Sequence, residues 1–165
     1  MPMLAWTLTL LLLLPQEVGK VTSSFEKKTD FGAFKTYAWE AGLRAYDPAT
    51  HKTIMEAMEA QMAALGYTKA ERAAADVILK YHTVRGSDVD LEVLEERQRK
   101  GTTGPAKEGI LGSLVVGIFR PSSMTTPLWQ ARLREHLSDD LATRTREIEE
   151  AVGAIFKTYP TRRGK

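Results

Sequence analysis

Histidines and carboxylates carry much of the acid–base and metal chemistry of proteins. The 165-residue chain has three histidines, His51, His82 and His136, and none belongs to an H-E-x-x-H motif or has a second histidine four residues away. A zinc site would need His82 and His136 to converge with a carboxylate such as Asp76 or Asp139, and their spacing gives no support for this. We therefore expect solvated or capping histidines, with His51 facing solvent.

Sequence motifs for a nucleophilic serine, a phosphate-binding loop and a calcium-binding loop are absent or incomplete. The G-x-S-x-G turn of a nucleophilic serine is absent, and Ser113 is expected to fill a strand. Gly101–Gly104 lacks the Lys-Ser/Thr of a phosphate loop. The acidic residues from Asp88 to Glu96 lack the spacing of a calcium loop. The sequence thus predicts no catalytic, cofactor-binding or metal-binding residue.

The amino-acid composition argues against several kinds of site and partner. The chain has no Cys, which argues against disulfides, thiolate metal sites, a Cys nucleophile and a lipid anchor on an N-terminal Cys. Its formal net charge is only +2, and its basic residues are mixed with acidic ones, so we expect no nucleic-acid partner. Hydrophobic residues make up 43% of the chain, which is ordinary globular usage.

The N-terminus carries an apolar run, Leu4–Leu14. The run is shorter than the about 20 residues that span a bilayer, and it fits the apolar region of a secretory signal, about 7–15 residues long. Small residues for cleavage stand at Val21-Thr22-Ser23, which predicts a signal peptide over residues 1–23. An uncleaved anchor and a core element are the alternatives, and a transmembrane span is expected only if the signal stays uncleaved.

Apolar periodicity predicts one domain over residues 24–160, followed by a basic tail at 161–165. The elements, in order, are a strand at Thr36–Trp39, a helix at Ala49–Leu65, strands at Val77–Val84, Gly109–Phe119 and Leu128–Glu135, and a helix from Ser138 to Tyr159. Two surface segments are predicted between them, a polar insertion at Arg85–Lys107 and a Ser/Thr-rich hairpin loop at Pro121–Pro127.

This order predicts an α+β fold. The simplest arrangement is a single antiparallel sheet of about four or more strands, with two amphipathic helices packed on one face. Trp39 and Trp129 lie at strand ends and are expected in the core. A hydrophobic binding surface is the alternative for these two residues, because Trp is enriched at binding hot spots.

Several segments, in order, resemble the bacterial domain of unknown function 4136. They are Thr29–Phe31 with Phe34–Trp39, Leu65–Tyr67 with Ala75–His82, Gly112–Val116 with Leu128-Trp129, and Leu137–Asp140 with Tyr159-Pro160. The resemblance implies an exported protein, in many members a lipoprotein of the Gram-negative envelope, with no assigned activity or catalytic residues. This chain departs from the pattern by lacking the lipid-bearing Cys and by having Gly117 and Arg120 where acids are common.

These features predict an exported protein of the periplasm or cell envelope that is a non-enzymatic binding or structural module. Its ligand surface is expected at the polar insertion together with the hairpin loop, without a cofactor, and its partner could be another envelope protein. One alternative is a periplasmic hydrolase-type enzyme that uses His82 or His136. Another is a subunit that pairs with a partner through an exposed edge strand.

Overall fold

The computed structural model describes residues 19–45, 47–85 and 110–162. The elements are β1 (Val21–Phe25), β2 (Thr36–Trp39), α1 (Pro48–Ala64), β3 (Thr68–Lys69), β4 (Val77–Arg85), β5 (Ile110–Arg120), β6 (Ser123–Leu137) and α2 (Leu141–Phe156). Short 3₁₀ turns stand at Arg72–Ala74 and Pro160–Arg162. Within these described ranges, no helix is long and apolar enough to cross a membrane.

The six strands form one sheet in the order β1-β6-β5-β4-β2-β3. The pairs β1·β6, β5·β6 and β4·β5 are antiparallel, whereas β2 runs parallel to both β4 and β3. The α+β class is confirmed, but the prediction of a purely antiparallel sheet is wrong. Parallel neighbours need a crossover connection, and α1 provides it between β2 and β4.

Both predicted helices are present, and both begin at an aspartate. The Asp47 carboxylate accepts hydrogen bonds from the backbone N–H groups of Ala49 and Thr50, and Asp140 accepts from Thr143. Such side chains satisfy N–H groups that have no partner within the helix. Gly66 follows α1 with a φ of 86°, the left-handed conformation that favours glycine.

The two helices bury their apolar stripes against one face of the sheet. The stripe of α1 consists of Ile54, Met58 and Met62, and that of α2 includes Ile148, Val152 and Ile155. Alternate strand residues such as Leu79, Ile118 and Leu133 face them, as the periodicity predicts.

Trp129 lies in this core with no exposed surface. Its ring packs against Phe156 and Tyr159, with centroids 5.4 and 5.2 Å away. The Tyr159 hydroxyl also shares a 2.6 Å hydrogen bond with that of Tyr67. The core position expected for Trp129 is therefore confirmed. Trp39 is only half-buried, and its indole N–H donates to Glu59 over 2.8 Å.

Two segments differ from the sequence-based prediction. The Ser/Thr-rich hairpin loop predicted at Pro121–Pro127 is instead a tight turn at Pro121-Ser122, with β6 starting at Ser123. Strand β1 was not predicted, and its first three residues fall within the segment assigned to the signal peptide. In the structure, Val21 pairs with Leu133 and Ser23 with Ala131.

We expect Trp129→Ala to lower the free energy of unfolding by about 3–5 kcal/mol, because it leaves a cavity where a large buried aromatic packed. Denaturant unfolding measures the change. Trp39→Ala is the matched control and should cost less, since Trp39 is half-buried. A loss below about 1 kcal/mol for Trp129→Ala would contradict its place in the core.

Candidate binding pocket

His82 and His136 lie on the sheet face opposite the helices, and they do not converge. His82 on β4 pairs with Val115 of β5 across the sheet, and Val115 in turn pairs with Arg132 of β6. His136 stands four residues further along β6, so strand geometry puts its Cα roughly 17 Å from that of His82. Among the described residues, no three His, Asp or Glu side chains are grouped to hold a metal ion.

Asp76, the carboxylate considered for that site, has a structural contact instead. Its Oδ2 accepts hydrogen bonds from the backbone N–H groups of Lys35 and Thr36 over 2.8 and 2.9 Å. These bonds hold the pKa of the Asp76 carboxyl below its usual value, and the bond from Lys35 has the largest effect. Asp76 therefore fixes the start of β4 against the entry to β2.

His51 does not face solvent as expected. It is half-buried, its Nδ1 is hydrogen-bonded to the hydroxyl of Tyr81, and the two rings stack with centroids 5.9 Å apart. Burial raises the pKa of the Tyr81 hydroxyl, so this group stays protonated at neutral pH. The pair joins the first turn of α1 to β4.

The His82 side chain, like that of Asp76, binds a backbone N–H group. Its Nδ1 accepts a hydrogen bond from the N–H of Leu43 over 3.1 Å, which places the proton of the neutral ring on Nε2. Gly42 precedes this contact and lies so close to β4 that a Cβ would stand 1.9 Å from the Tyr81 carbonyl oxygen. The imidazole thus holds the segment after β2 against β4.

The described part of the molecule contains a cavity of about 170 Å³ between the sheet and the first turns of both helices. Its walls are mainly apolar: Ile54 from α1, Ile148 and Ala151 from α2, Leu114 from β5, and Leu133 and Leu137 from β6. Ile54, Ile148 and Leu133 are each at most 3% exposed, so the inner end of the cavity is apolar.

Polar side chains also line this cavity. Asp47, Thr50 and Arg144 come from the helix starts, and Glu135 comes from β6. An Arg144 Nη2 contacts Asp47 Oδ2 at 3.4 Å. Hydrogen bonds from Thr50 hold the pKa of the Asp47 carboxyl below its usual value, and the bond from the Thr50 hydroxyl has the largest effect. The Asp47 carboxyl is therefore ionised at neutral pH. The cavity therefore combines apolar walls with fixed charges of both signs.

The sequence interpretation missed this cavity. Neither Asp47 nor Arg144 was predicted as a site residue, because their contact joins residues 97 positions apart and no motif marks it. The predicted ligand surface stays a prediction, because residues 86–107 of the insertion lie outside the described residues. The insertion is attached at the β5 end near the cavity, whereas the β5–β6 turn stands at the other end of that strand, roughly 33 Å away.

Comparison with known proteins agrees with the fold. The family model described as domain of unknown function (DUF4136) matches residues 21–161. None of the curated proteins is similar enough to match. A DUF4136 family protein from Bacteroides thetaiotaomicron VPI-5482 has a similar structure, with a TM-score of 0.61, 14% identity, and coverage of 89% of this chain and 98% of that one.

A second solved structure is similar over part of its length. It is a PDZ domain protein from Parabacteroides distasonis ATCC 8503, with a TM-score of 0.54 and 17% identity. The alignment covers 87% of this chain and 36% of that one. At these identities both likenesses show the fold alone.

The His82 contact predicts a pH dependence of stability. Burial first, and the charge of Lys80 second, lower the pKa of His82 below its ordinary value of 6.5. Because the folded state then binds fewer protons than the unfolded state, the stabilisation is complete above about pH 6.5 and is lost as the pH falls. We expect His82→Asn, which keeps an acceptor near the Nδ1 position but does not titrate, to lose less stability between about pH 7.5 and about pH 5. Equal losses in the two proteins, measured by denaturant unfolding, would contradict this role.

Proposed function

We propose that this chain, which belongs to the DUF4136 family, is an exported, non-enzymatic binding module of the cell envelope. Its binding site is the cavity between the sheet and the starts of α1 and α2. The observation that carries the proposal is the cavity itself, with apolar walls and a few charged groups. Ligand sites in proteins generally have this composition.

The size of the cavity supports a small apolar occupant. A cavity of about 150 Å³ lined by Leu, Ile and Phe stays dry and binds benzene. The cavity here measures about 170 Å³, and Leu, Ile and Ala line its inner part beside the polar groups of its outer part. The volume of an aromatic ring or a branched alkyl group therefore matches that of the cavity.

The charged and polar groups of the cavity support binding more than catalysis. Thr50, Thr83 and Ser113 contribute hydroxyl-bearing residues to the lining, but no histidine lines it in the described part of the chain. A hydroxyl nucleophile needs an adjacent base, for which imidazole is the commonest choice. His82 and His136, the residues of the alternative enzyme hypothesis, lie on the other face of the sheet.

Export is supported by the apolar run Leu4–Leu14, which lies outside the described residues. The structure bears on the cleavage position, because cleavage after Ser23 would remove three of the five residues of β1. We therefore propose that cleavage occurs before Val21, so that β1 keeps its full pairing with β6.

Export is tested by N-terminal sequencing of the protein from a periplasmic extract. We expect a start between the apolar run and Val21, and we expect a Leu11→Arg, Leu12→Arg variant to stay in the cytosol because charge prevents recognition of the signal. Recovery of wild type from the cytosol with Met1 intact would contradict export. A start at Ser24 would leave export standing and contradict the proposed boundary.

Binding is tested with toluene as the probe. At ten times its dissociation constant, a ligand of the folded state should raise the free energy of unfolding by about 1.4 kcal/mol. Ala151→Leu places three further carbon atoms in the cavity and should abolish the effect. Ala142→Leu, the same change at an exposed site on α2, should leave it intact. No stabilisation of wild type by toluene, or equal stabilisation of Ala151→Leu, would contradict a binding cavity.

A further inference from the structure

We infer that the cavity receives an apolar side chain from a second copy of this chain, in a two-fold dimer formed at the end where both helices begin. The inference rests on the binding cavity proposed above. Among the lining residues, the side chains of Asp47 and Arg144 are 44% and 18% exposed, whereas Ile54 and Ile148 are each 3% exposed. The cavity therefore opens between the two helix starts.

Two leucines beside this opening are the large apolar residues that are exposed in the described part of the chain. Leu43 is 65% exposed and Leu141 is 51% exposed. Leu141 begins α2 and lies two helical turns before Ile148, so it continues the line of Ile148 about 10 Å further out. The Leu43 carbonyl accepts hydrogen bonds from the N–H and the hydroxyl of Thr83, which lines the cavity. Single exposed leucines are ordinary, but two around one opening favour a contact surface.

This end of the molecule carries both a projecting apolar side chain and a cavity that accepts one. A surface with both halves of a contact can pair with itself about a two-fold axis, the commonest symmetry of dimers. Leu141 of each copy then enters the cavity of the other. The branched alkyl group of a leucine matches the cavity volume of about 170 Å³, and its removal from water stabilises the dimer.

The charges beside the two leucines are complementary. Arg44 follows Leu43, Asp139 stands just before the start of α2, and both side chains are exposed. Neither forms an ion pair within the part of the chain that the structure describes. A two-fold axis that brings Leu141 of one copy to the Leu43 side of the other also brings Asp139 to Arg44, twice in each dimer. Such pairs fix the orientation of an interface.

The test is sedimentation of the purified wild-type protein between about 1 µM and about 1 mM, because a contact centred on two leucines per copy is at the weak end of protein interfaces. We expect the mass to rise from that of a monomer to that of a dimer over this range. Saturating toluene should compete with the inserted leucine and raise the dissociation constant of the dimer about tenfold or more.

Substitutions separate the leucine, the cavity and the charges. Leu141→Ser should raise the dissociation constant of the dimer about tenfold or more, while toluene still stabilises the fold. Ala151→Leu fills the cavity and should abolish both the dimer and the effect of toluene. Arg44→Glu and Asp139→Arg should each weaken the dimer, and combining them should restore it. Lys157→Glu, an exposed change just beyond the far end of α2, is the control and should leave the dimer unchanged.

The outcomes distinguish this inference from the proposed function. A monomer at every concentration, with toluene still stabilising wild type, would overturn the dimer and leave the binding cavity standing. A dimer that neither toluene nor Leu141→Ser weakens would overturn the insertion of Leu141 into the cavity. Absence of both the dimer and the stabilisation by toluene would overturn both proposals. If a variant does not fold, the competition by toluene on wild type decides alone.

Discussion

Trp129 on β6 packs against Phe156, the last residue of α2, and against Tyr159 just beyond it, and this aromatic contact joins the end of α2 to the sheet. The indole N–H of Trp129 is buried without a hydrogen-bond partner in the described part of the chain. Such a group costs about 1–3 kcal/mol, whereas deleting a buried Trp costs about 3–5 kcal/mol. Packing therefore outweighs the unsatisfied donor and fixes α2 along β6.

Because α2 runs antiparallel to β6, the size of the side chains changes along their interface. Large aromatic rings fill the end near Trp129. The cavity lies at the other end, where the small residues of its lining are Ala151 of α2, Gly112 of β5 and Ala45 after β2. The same alignment brings the starts of α1 and α2 together, which places Asp47 beside Arg144.

Local patterns were sufficient to predict much of the fold, including both helices, β4, β5 and the burial of Trp129, because alternation and helical spacing depend on near neighbours. The parallel pairing of β2 with β4 depends on a crossover through α1, which no local pattern records. β1 was missed because its small residues also suit a cleavage site. The Ser/Thr-rich start of β6 was misread as loop, although pairing with β5 keeps it extended. The cavity could not be predicted, because its residues come from five elements and carry no motif.

We propose that the space between the sheet and the helix starts holds an apolar group. Nuclear Overhauser effects between bound toluene and the methyl groups of the protein test it most directly, since they report distances. We expect cross-peaks from the toluene ring to Ile54, Leu133 and Ile148, and none to Ile78, which is buried on the other face of the sheet. Cross-peaks to Ile78, or none to the three cavity residues at saturating toluene, would contradict it.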